Sequence, residues 1–144
     1  MSKESLSAAE WDSVKIAIKS AEQVTSGEIK ICIQKRCNED VLDRAAYYFK
    51  ELKMHETALR NGVLIFLSTE DHKFAIIGDA GINAVVEKDF WENTKETMLN
   101  HFKQKNISAG LISGIESVGL ILKNNFPYTE GDKNELSDDI AFYE

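Results

Sequence analysis

Acidic side chains stand beside several predicted turns of this sequence, where they could bind a cation. Glu28 opens a predicted strand, Glu56 lies in a polar connector, and Asp79 directly follows a short apolar run and a glycine. Ca²⁺ takes about six to eight oxygen ligands, and Mg²⁺ takes fewer protein oxygens and keeps more water. These three acids, with Asp89 as a further member, are therefore candidate ligands of a divalent cation.

The C-terminal segment adds a second group of oxygen-bearing side chains. Residues 129–144 hold six acids and one lysine, so −5 of the net charge of −7 lies there. Asp132, Asn134 and Glu135 alternate as in the first half of a calcium loop, without the Gly and the final Glu of an EF-hand. They would be ligands if the segment folds back onto the end of the sheet that holds Asp79. Otherwise the segment is a solvated acidic tail.

Asp79 also has structural interpretations. It could form a salt bridge with Arg60, or it could cap the helix that follows it. From spacing alone, a cap or a salt bridge is favoured over a metal ligand.

Composition limits the class of protein. The 144 residues fit one domain, residues 1–144, with a hydrophobic core. The excess of acids argues against a nucleic-acid partner and against an anionic membrane surface. No apolar run approaches the roughly 20 residues of a membrane span, and the N-terminus does not resemble a signal peptide. We expect a cytoplasmic protein.

Motifs for other chemistry are absent from the sequence. Cys32 and Cys37 lack the second pair that a zinc site would need, and the three histidines are widely spaced. The turn at residues 78–81 lacks the remaining residues of a phosphate-binding loop, and neither Ser-Gly pair forms a nucleophile elbow. No combination of nucleophile, base and orienting group can be identified.

The predicted elements explain how the acids could meet. A capping box at Ser7 and Glu10 begins a helix that runs to about residue 23. Strand 1 (28–36) alternates, which places it near a sheet edge, whereas the continuous apolar run at 62–68 makes strand 2 central. Strand 3 (73–78) returns as an antiparallel hairpin. A second helix is predicted at 41–52, a third begins after Asp89, which with Glu92 would cap it, and a fourth begins after Asn106. Residues 140–143 are predicted to form a short edge strand.

This order predicts a small mixed sheet of three to four strands with helices on both faces. If strands 1 and 2 are parallel, their starts share one end of the sheet, and Glu28 lies near Arg60 and Asn61. Strand 3 ends there as well and brings Asp79. The loops 55–61 and 79–83 should therefore be neighbours.

Three segments in this order, TSGEIKICI, RNGVLIFLS and KFAIIGDAGIN, resemble the TPM domain, a family named after thylakoid-lumen and photosystem II repair proteins and a modulator of nematode levamisole receptors. Trp91, the glycine-bearing helix AGLISGIESVGLIL and Phe126-Pro127 fit the same family. The resemblance covers about residues 7–127. The remaining acidic segment, 128–144, is expected to pack back as a loop and an edge strand, as in short bacterial members.

The resemblance implies an α/β/α sandwich with a cation-binding rim and, for plant members, acid phosphatase activity. The family's acidic position after strand 3 falls on Asp79, its Gly-Glu on Gly27-Glu28, and its Asn-Gly on Asn61-Gly62. Members commonly carry an export signal and a membrane helix or glycine-rich tail. This chain has neither, so it resembles a stand-alone cytoplasmic version.

We therefore expect a domain that binds one or two divalent cations, Ca²⁺ or alternatively Mg²⁺, which order the loops at the end of the sheet. Its partners would be the cation and could include another protein, without nucleic acid or membrane. One alternative is a metal-dependent acid phosphatase that acts on phosphomonoesters. The other is a protein-interaction adaptor that binds no metal.

Overall fold

The computed structural model describes residues 6–128 and 140–143. The elements, in chain order, are α1 (Ala8–Glu22), β1 (Glu28–Gln34), α2 (Val41–Glu51), a 3-10 turn (Met54–Glu56), β2 (Gly62–Ser68), β3 (Lys73–Gly78), α3 (Ala80–Asn83), α4 (Phe90–Lys103), α5 (Ile107–Asn125) and β4 (Ala141–Tyr143).

Side-chain caps fix the starts of several helices. The capping box predicted for α1 is confirmed, because Ser7 accepts a hydrogen bond from the Glu10 amide while the Glu10 carboxylate accepts one from the Ser7 amide. Asp40 caps α2 by accepting from the amides of residues 42 and 43. The cap predicted at Asp89 is wrong: Asp89 occupies the N-cap position of α4, but its side chain makes no capping hydrogen bond.

The described strands form one mixed sheet in the order β3-β2-β1-β4. Strand β1 pairs in parallel with both β2 and β4, and β2 pairs antiparallel with β3, as the short turn between them predicts. The short edge strand predicted near the C-terminus is confirmed as β4. The position near a sheet edge predicted for β1 is confirmed, because β1 lies beside the edge strand β4, which pairs with its last three residues.

The alternating pattern of β1 predicts one buried face, and this is wrong, because the polar side chains of the other face are buried as well. Lys30 is only 8% exposed, and Cys32 is fully buried. Gln34 is half-buried, and its Oε1 accepts hydrogen bonds from Arg44 Nε and the Tyr48 hydroxyl of α2. A helix that supplies donors can therefore cover a strand face that appears solvent-exposed in the sequence.

The sheet separates two hydrophobic cores, which confirms the α/β/α sandwich. The larger core packs Ile31 and Ile65 against side chains of α1, α4 and α5. The smaller core, on the other face, packs Phe66 against α2 and Met54. Helices therefore cover both faces, as expected for a sheet with parallel central strands.

Close packing explains the glycines of α5. A Cβ atom at Gly110 would lie 2.3 Å from the Phe102 ring, and one at Gly114 would lie 2.6 Å from the Met98 sulfur, both on α4. At Gly119, a Cβ atom would lie 3.0 Å from the Cβ of Ala21 on α1. All three glycines therefore lie where α5 makes close contacts with neighbouring helices. Among the helices of the described segments, none is long and apolar enough to cross a membrane.

Candidate functional site

The predicted neighbours meet at the end of the sheet where β1 and β2 begin and β3 ends. We call residues 26–28, 54–62 and 78–82 at this end the rim. The Glu28 amide donates to the Asn61 carbonyl at 3.4 Å, and the Asp79 amide donates to the Gly62 carbonyl at 3.0 Å. The parallel register pairs Glu28 with Gly62. The topology deduced from the sequence thus brings Glu28 and Asp79 onto either side of the 54–62 loop.

Asp79 is buried at the rim in a tight polar contact. Its side chain is 7% exposed and accepts two hydrogen bonds from Arg60, at 2.7 Å to Oδ2 and 2.9 Å to Oδ1. Oδ1 also accepts from the Ala80 amide at 2.7 Å, at the start of α3. Both structural roles considered for Asp79 are therefore present together. The bidentate contact raises the pKa of Arg60, chiefly through the hydrogen bonds and then through the opposite charge.

The glycines on either side of Asp79 allow this approach. The Gly81 amide donates to the Arg60 carbonyl at 2.8 Å. A Cβ atom at Gly81 would lie 2.2 Å from the Leu59 carbonyl oxygen, and one at Gly78 would lie 2.5 Å from the Trp91 ring. The turn therefore needs glycine so that α3 can lie directly on the 54–62 loop.

Two buried side-chain oxygens of the rim have no hydrogen-bond partner among the described residues. They are Thr57 Oγ1 and Asn61 Oδ1, on side chains that are 4% and 1% exposed. The side-chain nitrogen Nδ2 of Asn61 donates a hydrogen bond to Ser26 Oγ at 3.3 Å. This contact fixes the side-chain amide group, whose Oδ1 has no partner. Leaving such a polar group unpaired costs about 1–3 kcal/mol. Hydroxyl and amide oxygens such as these two atoms can coordinate a hard cation.

Sequence reasoning missed these two residues as ligands. The sequence indicates Asn61 only as part of the Asn-Gly pair before strand 2, and Thr57 carries no signal in a polar connector. Both become candidates only when the structure shows that they are buried and that an oxygen on each lacks a partner.

The other predicted ligands lie in different surroundings. Glu28 is 3% exposed. Glu56 is 58% exposed at its side chain and lies 3.6 Å from His55 Nε2. Asp89 lines a separate groove of about 490 Å³ between α4 and α5, together with Glu87. Across residues 6–128 and 140–143, no three His, Cys, Asp or Glu side chains are grouped closely enough to hold a metal ion.

The predicted tail ligands, Asp132, Asn134 and Glu135, lie outside the described residues. The full ligand set thus stays a prediction. What the rim supplies is one buried carboxylate held by an arginine, a second buried acid and two buried oxygens without partners.

Comparison with known proteins identifies the family of this fold. A family model described as TPM domain matches residues 2–120. The BA42 protein from the psychrophilic bacterium Bizionia argentinensis is 44% identical in sequence, with a TM-score of 0.88 over 95% of this chain and 94% of that one. No curated protein matches the sequence.

Two more distant solved structures share the fold. The N-terminal domain of the cg2496 protein from Corynebacterium glutamicum is 13% identical, with a TM-score of 0.61 over 94% of this chain and 79% of that one. The N-terminal domain of a protein from P. gingivalis is 16% identical, with a TM-score of 0.66 over 84% of this chain and 78% of that one. The family match over most of the chain and the likeness to BA42 agree with the fold described above, and the chain belongs to the TPM domain family.

Proposed function

We propose that this TPM domain binds a divalent cation, Ca²⁺ in the first place, at the rim, and that the cation orders the rim loops. The observation that carries the proposal is that two buried oxygens without partners, Thr57 Oγ1 and Asn61 Oδ1, belong to the same rim as the buried acids Glu28 and Asp79. A hard cation would satisfy both oxygens and neutralise the carboxylates around them.

The cation would be held from the rim by Asp79, Glu28, Glu56, Thr57 and Asn61. Asp132, Asn134 and Glu135 would complete the ligand set from the acidic segment, and Asp89 is the weakest member because it lines another groove. The bound cation supplies positive charge where several carboxylates would otherwise repel one another. The rim would thereby act as a metal-responsive surface for regulation or for contact with another protein.

The Arg60 guanidinium binds the two Asp79 carboxylate oxygens that a metal ion would need. Its side chain is 53% exposed, so it can leave the carboxylate without breaking contacts in the core. Arg60 and a metal ion would then compete for the same two oxygens. Removing the arginine charge should consequently favour the metal.

Calorimetric titration of chelator-treated full-length protein with Ca²⁺ tests the proposal. We expect Asp79→Asn to weaken Ca²⁺ binding about tenfold or more, because one charged ligand is lost. We expect Arg60→Gln to strengthen it several-fold, because the competing cation is removed. Asp12→Asn, which removes an exposed carboxylate of α1, is the matched control and should leave the affinity unchanged.

The acidic segment is tested by the triple variant Asp132→Asn, Asn134→Ala, Glu135→Gln, which should weaken binding if the segment supplies ligands. The proposal fails if the parent protein gives no heat and no change in melting temperature at millimolar Ca²⁺. It also fails if Asp79→Asn and Asp12→Asn behave alike.

A chromogenic phosphomonoester assay separates binding from catalysis. Metal-dependent hydrolysis that disappears in Asp79→Asn would favour the phosphatase alternative, in which the same acids hold a cation and its water. Ca²⁺ binding without turnover supports the proposed binding module.

A further inference from the structure

A cleft of about 240 Å³ lies at the opposite end of the sheet from the rim, where β2 ends and β3 begins. We call it the hairpin cleft. It opens between the β2–β3 hairpin and the junction of α4 and α5. Its apolar wall is formed by Leu67, Phe74, Leu99, Phe102 and Ile107. The cleft shares no residue with the rim, so a ligand could bind there whether or not the rim holds a cation.

The apolar wall is held in place by packing. The rings of Phe74 and Phe102 meet edge to face, with centroids 4.9 Å apart. Phe102 also lies against Gly110 of α5, where a Cβ atom would collide with the ring. Leu67 is 4% exposed on the central strand β2. A ligand would thus enter a preformed apolar site, which avoids much of the ordering cost of binding.

The exposed part of the lining is cationic. Lys103 and Lys105 line the cleft together with His72. Within residues 6–128 and 140–143, no carboxylate lies within 4 Å of either lysine ammonium, although the protein as a whole is acidic. The C-terminus of α4 and the N-terminus of α5 both reach the cleft, so their opposed dipoles largely offset. The two lysines therefore set the sign of the local potential.

The two acids of the neighbouring turn, Glu70 and Asp71, contact the residues that follow β1. Glu70 accepts from Arg36 at 2.6 Å and lies 3.8 Å from Lys35. Asp71 accepts a hydrogen bond from the Cys37 amide and another from Ser68 Oγ. Neither carboxylate forms an ion pair with Lys103 or Lys105. The charge of the cleft is complementary to an anion.

Size and lining together define the ligand. At about 30 Å³ for each water-sized group, the cleft accommodates roughly eight non-hydrogen atoms. We propose that it binds a medium-chain monocarboxylate, with the apolar chain against Phe74 and Phe102 and the carboxylate beside the two lysines. Octanoate matches this size and charge when its carboxylate lies at the exposed lysines, because the seven carbons of its chain then fill the cleft.

The test is a titration of the full-length protein with hexanoate, heptanoate and octanoate in the presence of chelator, followed by NMR chemical shifts. We expect shifts centred on Leu99 and Phe102. Affinity should rise about fourfold for each added methylene, hence roughly sixteenfold from hexanoate to octanoate. Lengthening the chain to decanoate should add less, because the cleft is full.

Charge variants test the role of the lysines. Lys103→Gln combined with Lys105→Gln should weaken octanoate binding about fivefold or more. Lys19→Gln combined with Lys123→Gln removes the same charge from the last turns of α1 and α5, which do not line the cleft, and should leave binding unchanged. Octylammonium, with the opposite charge on the same chain, should bind the parent protein more weakly than octanoate.

Three results would overturn the proposal. They are an affinity that does not depend on chain length, an equal loss in the two lysine double variants, and shifts that avoid the cleft. A further variant tests the wall: Leu99→Gln, at a side chain already 39% exposed, should reduce the gain per methylene while the fold stays intact.

Discussion

Cys32 shows how strongly position can alter one side chain. It is fully buried on β1, and burial raises the pKa of its thiol from 9.0 to about 12. The thiol is therefore neutral at physiological pH, and a neutral buried thiol is inert toward alkylation.

The same shift predicts alkaline destabilisation. The stability that depends on the neutral thiol is fully present below pH 9 and is lost as the pH rises toward the folded-state pKa of about 12. Over that whole window the loss is on the order of 4 kcal/mol. Urea unfolding at pH 8 and pH 10.5 should show part of this loss, and Cys32→Ala should reduce the difference between the two pH values. An unchanged difference would contradict the assignment.

Some of the candidate ligands can be predicted from the sequence, and others cannot. Asp79 is accessible to prediction because an acid after a buried strand must lie at the end of the sheet. Thr57 and Asn61 are not, because whether a side-chain oxygen lacks a partner depends on its rotamer and on the packing around it. The sequence indicates Arg60 as one partner of Asp79. Only the structure shows that Asp79 binds Arg60 and caps α3 at the same time.

At the scale of elements, α3 is fixed by one backbone contact. Gly81 of α3 lies against the carbonyls of Leu59 and Arg60, and those atoms belong to a turn that is itself hydrogen-bonded to Gly81. A methyl group there meets backbone rather than a flexible side chain. The contact therefore cannot relax cheaply.

We expect Gly81→Ala to destabilise the protein by about 2–4 kcal/mol in urea unfolding, because the added Cβ atom overpacks the rim. Gly119→Ala is the matched control. Its Cβ atom would lie 3.0 Å from the Ala21 Cβ, so α1 and α5 need to separate by only a few tenths of an ångström. The gain in helix propensity, about 1 kcal/mol, partly offsets that cost, and we expect a smaller loss than for Gly81→Ala. Equal losses in the two variants would show that the rim backbone tolerates the methyl group.

Most elements could be predicted because their signals are local. The capping box of α1, the continuous apolar run of β2 and the short turn before β3 each lie within a few residues of what they determine. The burial of both faces of β1 could not be predicted, because the polar side chains of the second face are covered by elements elsewhere in the chain. Gln34 is an example, since its hydrogen-bond partners come from α2.

For the whole molecule, two acids connect the stability of the fold to pH. Hydrogen bonds from Ser7 lower the pKa of Glu10, and the hydrogen bond from Arg36 lowers the pKa of Glu70. Glu10 also accepts from Ser108 of α5, and Arg36 follows β1 whereas Glu70 follows β2. These contacts join elements that are distant in sequence.

Because both folded-state pKa values lie below the ordinary value of 4.5, the stabilisation is present above pH 4.5 and is lost as the pH falls through the lowered values. Melting temperatures measured between pH 7 and pH 3 should therefore decline below about pH 4.5. Glu70→Gln should have a shallower decline than the parent, whereas Glu96→Gln, an exposed acid of α4, should not. Identical pH profiles for parent and Glu70→Gln would refute this role.

The pairing of β4 with β1 has a consequence for how the protein is made. On the ribosome, β1 is complete once residue 34 has emerged, but its partner at residues 141–143 is more than a hundred positions away. At about 5–20 residues per second, synthesis of that interval takes roughly 5–20 s. Throughout it the outer hydrogen-bonding side of an apolar strand has no β4 to pair with, and such a side accepts strands of other chains. This side of β1 is thus exposed to intermolecular pairing until residues 141–143 have emerged.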